Sequence, residues 1–564
     1  MSPRDDLDAV AAAQAAPSEE VAGPRPRAGR LARSTAFFSF ATGLSRIAGL
    51  IREIVAASYF GITGAMSAFT IAFQVPNLVR SLFADAAIQA AFVPVFTEQL
   101  EAGNRGQAFR LASTLIFLVA LALGAITALF ILVAPVVMPL FAPGFEGELL
   151  DLTISLSRLL FPILILLGIG GMVVGVLNSY DRFGWFAISP LFWNLTIIAV
   201  LVGLAPAFPE EDEIYAYAIG VLAGTAVQLA ILTFDLRNTP FGIRRALIAP
   251  LRTRFGGAWR DGTARRVLLL MLPVTISLGL INFNLVVNSF FGTLIDDPAI
   301  AAQAPAAIDK AFRIYMLPQG VFSVAVATVL FPTLARFAAR GEHEELRATM
   351  ANGMRQIVVF LVPAAAAVLV LSEPMTRLVF ERGEFDAAQT DLVATALFWF
   401  AFSLPFNGLF LLLTRTFFSL QRPWMPTGIA AANLAITALA ALALYGPYEI
   451  GGIVAATAIA TAGSVIAQVE ILRRALGRLE LGRLLSTSIR VAVAAAALAA
   501  VSYAIWDLLD EALGRGLAGE VISLGAALAA GALVYGVVIL GLRVPEAEQI
   551  RRVVSRRDPS ERSP

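Results

Sequence analysis

Gly43-Leu-Ser-Arg46-Ile-Ala-Gly49-Leu-Ile-Arg52-Glu53 lies within an apolar run extending from about residue 34 to 57. A helix of roughly 20 apolar residues crosses the hydrocarbon core of a bilayer, so the run is long enough to be a membrane span. It nevertheless carries two arginines. An arginine facing lipid at mid-membrane costs roughly 2.5–3.5 kcal/mol on insertion scales. Arg80 and Arg313 interrupt two further apolar runs. Four such side chains facing lipid would cost about 10–14 kcal/mol. They are therefore expected to face a wet cavity, and a cationic cavity in a membrane protein implies an anionic passenger. On a helix Arg46 and Glu53, seven apart, share a face, with Arg52 about a third of a turn round. Gly43 and Gly49 weaken the helix and let another backbone approach. The guanidinium fork binds phosphate oxygens bidentately and keeps its charge on burial, which suits a phosphate or pyrophosphate group. An internal Arg46–Glu53 pair, or Arg52 snorkelling to the outer interface, is the structural alternative.

The whole chain has the composition this stretch implies. Hydrophobic residues make up 58% and charged residues 15%, with a mean hydropathy of +0.77, against about 25% charged in a soluble domain. There is no cysteine, and hence no disulfide, thiolate nucleophile or Cys-ligated metal site. The only lysine, Lys310, sits in Ala-Ile-Asp-Lys-Ala-Phe, which excludes a phosphate-binding Walker A loop. The only histidine, His343, lies in an Arg/Glu-rich stretch and is assigned no role. Met1 to Asp8 lacks the basic and apolar regions of a signal peptide, so the first apolar segment is expected to be a retained anchor.

Apolar runs place fourteen transmembrane helices at about 34–57, 63–84, 109–134, 152–177, 185–205, 214–234, 267–294, 309–333, 355–372, 390–417, 425–445, 450–472, 488–508 and 518–542. Arg25, Arg27, Arg30 and Arg33 precede the first span. Eight arginines and two acids occupy 235–266, and further arginines follow the twelfth and fourteenth spans. The alternate loops, such as 209–213 and Asp296-Asp297, are acidic. Basic loops stay cytoplasmic, which puts both termini inside. The chain also repeats. Phe92-Val-Pro94…Gly103 matches Phe331-Pro332…Gly341. Phe141-Ala-Pro-Gly-Phe145 resembles Phe380-Glu-Arg-Gly-Glu-Phe385, and Ser179-Tyr-Asp-Arg182 with Asn194 resembles Ser419-Leu-Gln-Arg422 with Asn433, all at offsets of 238–240. Six spans per copy give like-oriented lobes, an architecture of transporters that rock about a site between repeats.

The expected fold is therefore an all-α integral membrane protein with two pseudo-symmetric six-helix lobes and two C-terminal helices. Its parts are a disordered arm at 1–33, an N-lobe at 34–236, a basic cytoplasmic linker at 237–266, a C-lobe at 267–475, helices thirteen and fourteen within 485–543, and a tail at 544–564. In the second span Pro76 breaks the hydrogen-bond ladder and Asn77 can answer the freed groups. Arg80 lies within reach of an interfacial pair with Asp85. Asp309 and Lys310, one turn before Arg313, are placed toward the outer end. Arg158, Arg355 and Arg415 fall in or near spans, either buried or interfacial. Asn282, Asn284 and Asn288 form a polar stripe in the seventh span, lining the cavity or joining helices.

The runs Gly43–Glu53, Phe73-Gln-Val-Pro-Asn-Leu-Val-Arg80, Ala91-Phe-Val-Pro-Val95, Asn178–Phe183, Arg313 with Leu317-Pro318, and Thr414–Ser419 together resemble the MurJ (MviN) family of lipid II flippases, over about residues 34–543. That family belongs to the multidrug/oligosaccharidyl-lipid/polysaccharide exporter superfamily. The resemblance implies two lobes in a V around a cationic cavity. It implies alternating-access transfer of undecaprenyl-pyrophosphate-linked disaccharide-pentapeptide to the outer leaflet of the bacterial inner membrane. The cavity arginines would be Arg46, Arg52, Arg80 and Arg313, with Glu53, Asn77 and Ser45 beside them and Asn178, Arg415 and Asn288 as secondary candidates. Helices thirteen and fourteen would hold the lipid tail. No cofactor, metal or nucleic acid is implied. The partners are the lipid-linked precursor and membrane lipids, with a monomer as the working unit and cell-wall synthesis proteins as possible associates. The chain departs from many members at Ser67 and Phe312, where they carry acids. Where some have a sodium site, it offers Asn282, Asn284, Asn288, Asn433 and Thr437, leaving the membrane potential, about 2.3 kcal/mol per charge per 100 mV, as an alternative driving force.

Three other functions compete. A flippase for another polyprenyl-linked glycan shares the physics. A cation-coupled multidrug antiporter of the same superfamily would be expected to have twelve spans and membrane carboxylates. A membrane enzyme acting on lipid phosphates would need His, Asp or Glu clusters for acid–base chemistry.

Overall fold

A computed structural model describes residues 28–83, 85–182, 184–245, 267, 283–422, 424–477 and 479–546, with the side chains of 28–39, 80–91, 324 and 325 outside the description. Its helices are α1 Ala28–Phe60, α2 Gly64–Phe83, α3 Asp85–Glu101, α4 Arg105–Phe141, α5 Gly147–Leu160, α6 Ile163–Asn178, α7 Gly184–Leu204 and α8 Ile214–Asp235. Then come α9, described over 283–293, α10 Pro298–Pro318, α11 Val324–Arg340, α12 His343–Phe380, α13 Ala387–Ser419, α14 Trp424–Leu476, α15 Leu481–Leu513 and α16 Leu517–Gly541. The described residues contain no strand.

Ten helical segments among the described residues are long and apolar enough to cross a membrane. One of them, α14, has 53 residues. At 1.5 Å per residue it would measure roughly 80 Å, far beyond a hydrocarbon core of about 30 Å. It breaks at Glu449 (φ 47, ψ −131), between the spans ending at 445 and starting at 450 in the sequence. The first two spans of the sequence correspond to α1 and α2, which are helical but too polar to count among the ten. Helix α1 starts at Ala28, six residues before the start expected from hydropathy. Most of the seventh span, the 246–266 part of the linker and the tail from 547 lie outside the described residues.

Helix ends follow their local chemistry. Asp297 caps α10, accepting from the N–H of Ala299 at 2.8 Å and of Ile300 at 3.4 Å, with Pro298 at the first helical position. Asp386 likewise accepts from the N–H of Gln389 at 2.8 Å. The repeat seen in the sequence recurs in the backbone. Asp181 and Gln421, both non-glycine, take left-handed φ of 54° and 59°. The next N–H bonds back in the same way, Arg182 to the Leu177 carbonyl and Arg422 to the Phe417 carbonyl, each at 3.0 Å. Gly103 and Gly341 (φ 76° and 71°) close α3 and α11 with matching bonds from Asn104 to Gln99 and from Glu342 to Phe337.

The largest core unites both sequence halves, with Phe69 and Tyr217 in the same cluster as Ala307, Tyr315 and Phe400. Leu129, Leu132, Val136 and Leu140 on α4, and Leu533 and Val537 on α16, are exposed. That is how a lipid-facing surface looks when bilayer is the solvent. The α15–α16 hairpin is fastened to α12 at both ends. Arg377, only 3% exposed, pairs with Asp510 and, at 3.1 Å, with Glu520. Arg355 pairs with Glu546 and, at 3.1 Å, with Glu480. One turn from Arg355, the Tyr535 hydroxyl donates to the Val359 carbonyl at 2.6 Å. Residues 355 and 377 are separated by roughly 33 Å of helix, close to the thickness of a hydrocarbon core. Arg355 is thus a fastening residue of α12.

Candidate functional site: a charge cluster beside a polar cavity

The residues singled out on the first span meet the eighth. Glu53 on α1 is buried and accepts at Oε2 from Lys310 Nζ at 2.8 Å. Its Oε1 faces the Arg52 guanidinium, with which it is hydrogen-bonded, and Arg313 Nε at 3.8 Å. Arg313 in turn donates to both carboxylate oxygens of Asp309, one helical turn earlier, at 3.2 and 3.3 Å. Arg52 stacks its guanidinium over the Trp193 ring, 4.7 Å from the centroid. The Trp193 indole N–H donates to Thr225 at 3.0 Å. Arg52 is buried and does not snorkel.

Arg46 is different. It is exposed and has no ion-pair partner among the described residues. Its guanidinium rests against Gly320, where a Cβ would stand 3.3 Å from one terminal nitrogen. Gly320 belongs to a π-helical turn, Gln319–Ser323, that follows Pro318. Such turns relieve a ladder broken by proline and recur at functional sites. Within the cluster Arg52, Lys310 and Arg313 supply three cations against the two carboxylates Glu53 and Asp309, while Arg46 lies two helical turns along α1 from Glu53, and neither Arg46 nor Arg52 lines the cavity. The neighbourhood carries net positive charge.

A cavity of about 690 Å³ adjoins the cluster. Asp309 and Arg313 reach its wall, together with Asn77, Gln228, Gln319 and Asn407, while Phe73, Trp193 and Phe400 supply aromatic surface. Asn284 and Asn288 also line it, but both are engaged between helices. Asn284 donates to Asn433 at 2.9 Å, and Asn288 accepts from Thr457 at 3.1 Å. The polar stripe of the seventh span therefore joins helices while bordering the cavity. Asn282 and the side chain of Arg80 lie outside the described residues.

The remaining candidates fall elsewhere. Ser45 does not line the cavity; its carbonyl accepts from Asn194 at 3.5 Å, where Gly49 lets α7 approach. Asn178 ends α6, beside the left-handed turn at Asp181. Arg415 lies over the Phe331 ring at 5.3 Å. Neither Asn178 nor Arg415 borders the cavity. Asp309 and Lys310, placed toward the outer end from the sequence, are part of the cluster, and Lys310 is fully buried. The i,i+4 spacing of Asp309 and Arg313 signalled one of these pairs. Nothing local signalled the other, because Lys310 and Glu53 are 257 residues apart. Among the described residues no group of three or more His, Asp or Glu is arranged to hold a metal ion.

Comparison with known proteins gives one consistent result. The family model described as Lipid II flippase MurJ matches residues 56–520. A probable lipid II flippase MurJ of Rhizobium meliloti (strain 1021) is 34% identical over 526 residues, covering 91% of this chain and 94% of that protein. A lipid II flippase MurJ of Burkholderia cenocepacia is 29% identical over 400 residues, covering 71% and 75%. Among solved structures, a lipid II flippase MurJ in an inward closed conformation superposes with a TM-score of 0.72 at 21% identity, covering 92% of this chain and 99% of that one. An inward-facing multidrug MATE transporter shares the fold at a TM-score of 0.62 and 12% identity, covering 78% and 94%.

Proposed function

The chain belongs to the MurJ lipid II flippase family, a family of transporters and not of enzymes, and from that premise we propose that it carries lipid-linked peptidoglycan precursor across the cytoplasmic membrane by alternating access. The passenger's pyrophosphate is held where Arg46, Arg52 and Arg313 converge, with Arg80 as a fourth cation, and the uncharged head extends into the polar cavity. The observation that carries this reading is the excess of cations over carboxylates beside a cavity between the two sequence halves. A phosphate arriving there meets Arg52 already buried and Arg313 already held on a packed helix, which reduces the ordering cost of binding.

Arg46 makes the first contact, because no carboxylate has to be displaced from it. Arg313 and Arg52 follow by exchanging Asp309 and Glu53 for phosphate oxygens. Lys310, walled off from the cavity, stays with Glu53, so that acid keeps a cation, while Asp309, on the cavity wall, gives up Arg313 to the water of the cavity. Fourteen spans in two like-oriented lobes, both termini cytoplasmic, a tail groove formed by α15 and α16, and a monomeric working unit complete the proposal. Cell-wall synthesis proteins are the natural associates.

The decisive experiment reconstitutes the purified protein in vesicles and follows protection of fluorescent lipid II from a membrane-impermeant quencher. Wild-type protein is expected to redistribute the lipid, and R46A and R313A to lose most of that activity at equal protein levels. Wild-type activity in both variants would overturn the assigned site.

A further inference from the structure

Three amide side chains at the cavity wall, Gln228, Asn284 and Asn407, are turned the same way. The Ser189 hydroxyl on α7 gives its one hydrogen to the Phe186 carbonyl at 3.1 Å, so its oxygen can only accept. Gln228 on α8 donates its Nε2–H to that oxygen at 3.4 Å, which leaves Oε1 without a partner among the described residues. Asn407 on α13 donates its Nδ2–H to the Tyr315 hydroxyl oxygen at 2.6 Å, and that hydroxyl is hydrogen-bonded to Ser403 at 3.1 Å. Its Oδ1 is likewise unpartnered among the described residues. A longer chain orients Asn284. Ser464 gives its hydrogen to the Ala460 carbonyl at 2.8 Å and accepts from Asn433 Nδ2 at 3.0 Å, and Asn433 Oδ1 in turn accepts from Asn284 Nδ2 at 2.9 Å. Asn284 Oδ1 is left buried and unanswered.

An amide has a donor end and an acceptor end. In all three the donor end is spent on the protein and the acceptor end is left over. The amides cannot simply flip: a flipped Gln228 would set its oxygen against a Ser189 oxygen with no hydrogen to give, and Asn433 is held in the same way by Ser464.

The cavity therefore asks two different things of a ligand. Arg313, at the wall beside the charge cluster, offers N–H groups and positive charge, which suit phosphate oxygens. The amide wall offers lone pairs, which suit O–H and N–H groups and repel a carboxylate. Arg313 is the only cation at the wall among the described residues, and the pyrophosphate claims it. Phe73, Trp193 and Phe400 supply apolar surface beside the amides. Apolar surface with a few fixed polar groups is the make-up of a pocket that orients a neutral ligand.

We propose that Gln228 and Asn407, one from each half of the chain, are specificity-determining residues that take hydroxyl and amide N–H groups of the passenger's glycan, and that the acidic peptide is not read at this wall. The proposal rests on the transport reading above and adds to it which part of the head is recognised and by which atoms.

The test measures the affinity of purified protein in lipid nanodiscs for three synthetic lipids: undecaprenyl pyrophosphate, the same lipid carrying the disaccharide, and the disaccharide-pentapeptide form. Wild-type protein is expected to bind the disaccharide lipid roughly 10-fold tighter than the bare pyrophosphate, and the peptide to change that affinity by less than about threefold. Asn407→Leu and Gln228→Met, close to the native side chains in size, should each weaken binding of the disaccharide lipid by roughly 3- to 10-fold and leave the bare pyrophosphate unchanged. Equal wild-type affinity for the bare and disaccharide lipids would overturn the proposal, and this arm needs no variant to fold. So would a preference that survives in folded N407L and Q228M, an equal loss for the bare lipid, or a peptide that tightens binding as much as the glycan does.

R313A separates this proposal from the pyrophosphate site. If R313A weakens all three lipids alike while N407L and Q228M weaken none, the pyrophosphate site stands and the glycan wall is rejected. If R313A changes nothing while N407L and Q228M lose the disaccharide lipid, the glycan wall stands and the pyrophosphate site is rejected.

Discussion

Two regions of this molecule bury arginine against carboxylate, and they are built to opposite ends. Around Arg377 the acids outnumber the cation: Asp510 and Glu520 meet it, and Glu373 stands 3.9 Å away. The group is sealed and joins three helices. Around Glu53 the cations outnumber the acids, one of them (Arg46) has no partner among the described residues, and a cavity adjoins. Surplus acid around a sealed arginine fixes a structure. Surplus guanidinium beside open space is an offer to an anion. Residue type alone would have scored the two regions alike.

The contrast can be broken experimentally. Arg377→Met removes the cation from a sealed group and strands two carboxylates, for an expected loss of about 3–5 kcal/mol of stability. The readout is the thermal midpoint and the monodisperse yield in detergent, with lipid II affinity unchanged in whatever folds. An R377M protein of wild-type stability would remove the distinction between the two regions. Next in size is Arg46→Ala. Loss of one charge-assisted contact, about 1.5–3 kcal/mol, should weaken binding of a polyprenyl pyrophosphate about 10- to 150-fold. The midpoint of the ligand-free protein should hardly move, because no ion pair is lost. Arg313→Ala should weaken binding similarly but also lower the midpoint, since Asp309 loses its partner.

Lys310→Met sharpens the comparison from the other side. It deprives Glu53 of its resident cation and should destabilise the protein by about 1–3 kcal/mol. The double variant E53Q/K310M should recover most of that loss in thermal denaturation. No recovery would mean that Lys310 stabilises the fold by packing and not through Glu53. The smallest effect is expected at Tyr535→Phe, which deletes one neutral hydrogen bond to the Val359 carbonyl, about 0.5–1.5 kcal/mol. A larger drop in midpoint would show that the α15–α16 hairpin depends on that bond as much as on its ion pairs.

Much of the architecture was legible before any coordinates. Long apolar runs yield helices because a backbone in lipid must satisfy its hydrogen bonds internally. The repeated motifs marked turns that have the same left-handed residues in both copies. Even the break in α14 fell where hydropathy separated two spans. The first two spans expected from the sequence are helical as well, though the arginines, Pro76 and Asn77 lower the apolar score of α1 and α2. Ser45, Asn178 and Arg415 were drawn toward the site by motif resemblance; like Arg46 and Arg52, they are not on the cavity wall.

By itself the sequence determined where the long helices run, which charges lie within apolar runs, and that turn motifs recur at one offset. Those properties depend on neighbours along the chain, where spacing and composition suffice. Only the tertiary structure decided which charges answer one another: Lys310 with Glu53, Arg313 with Asp309, Arg377 with the α15–α16 hairpin, and Arg46 with no carboxylate among the described residues. Pairing strength depends on distance and burial across helices hundreds of residues apart, and neither quantity is written into local sequence.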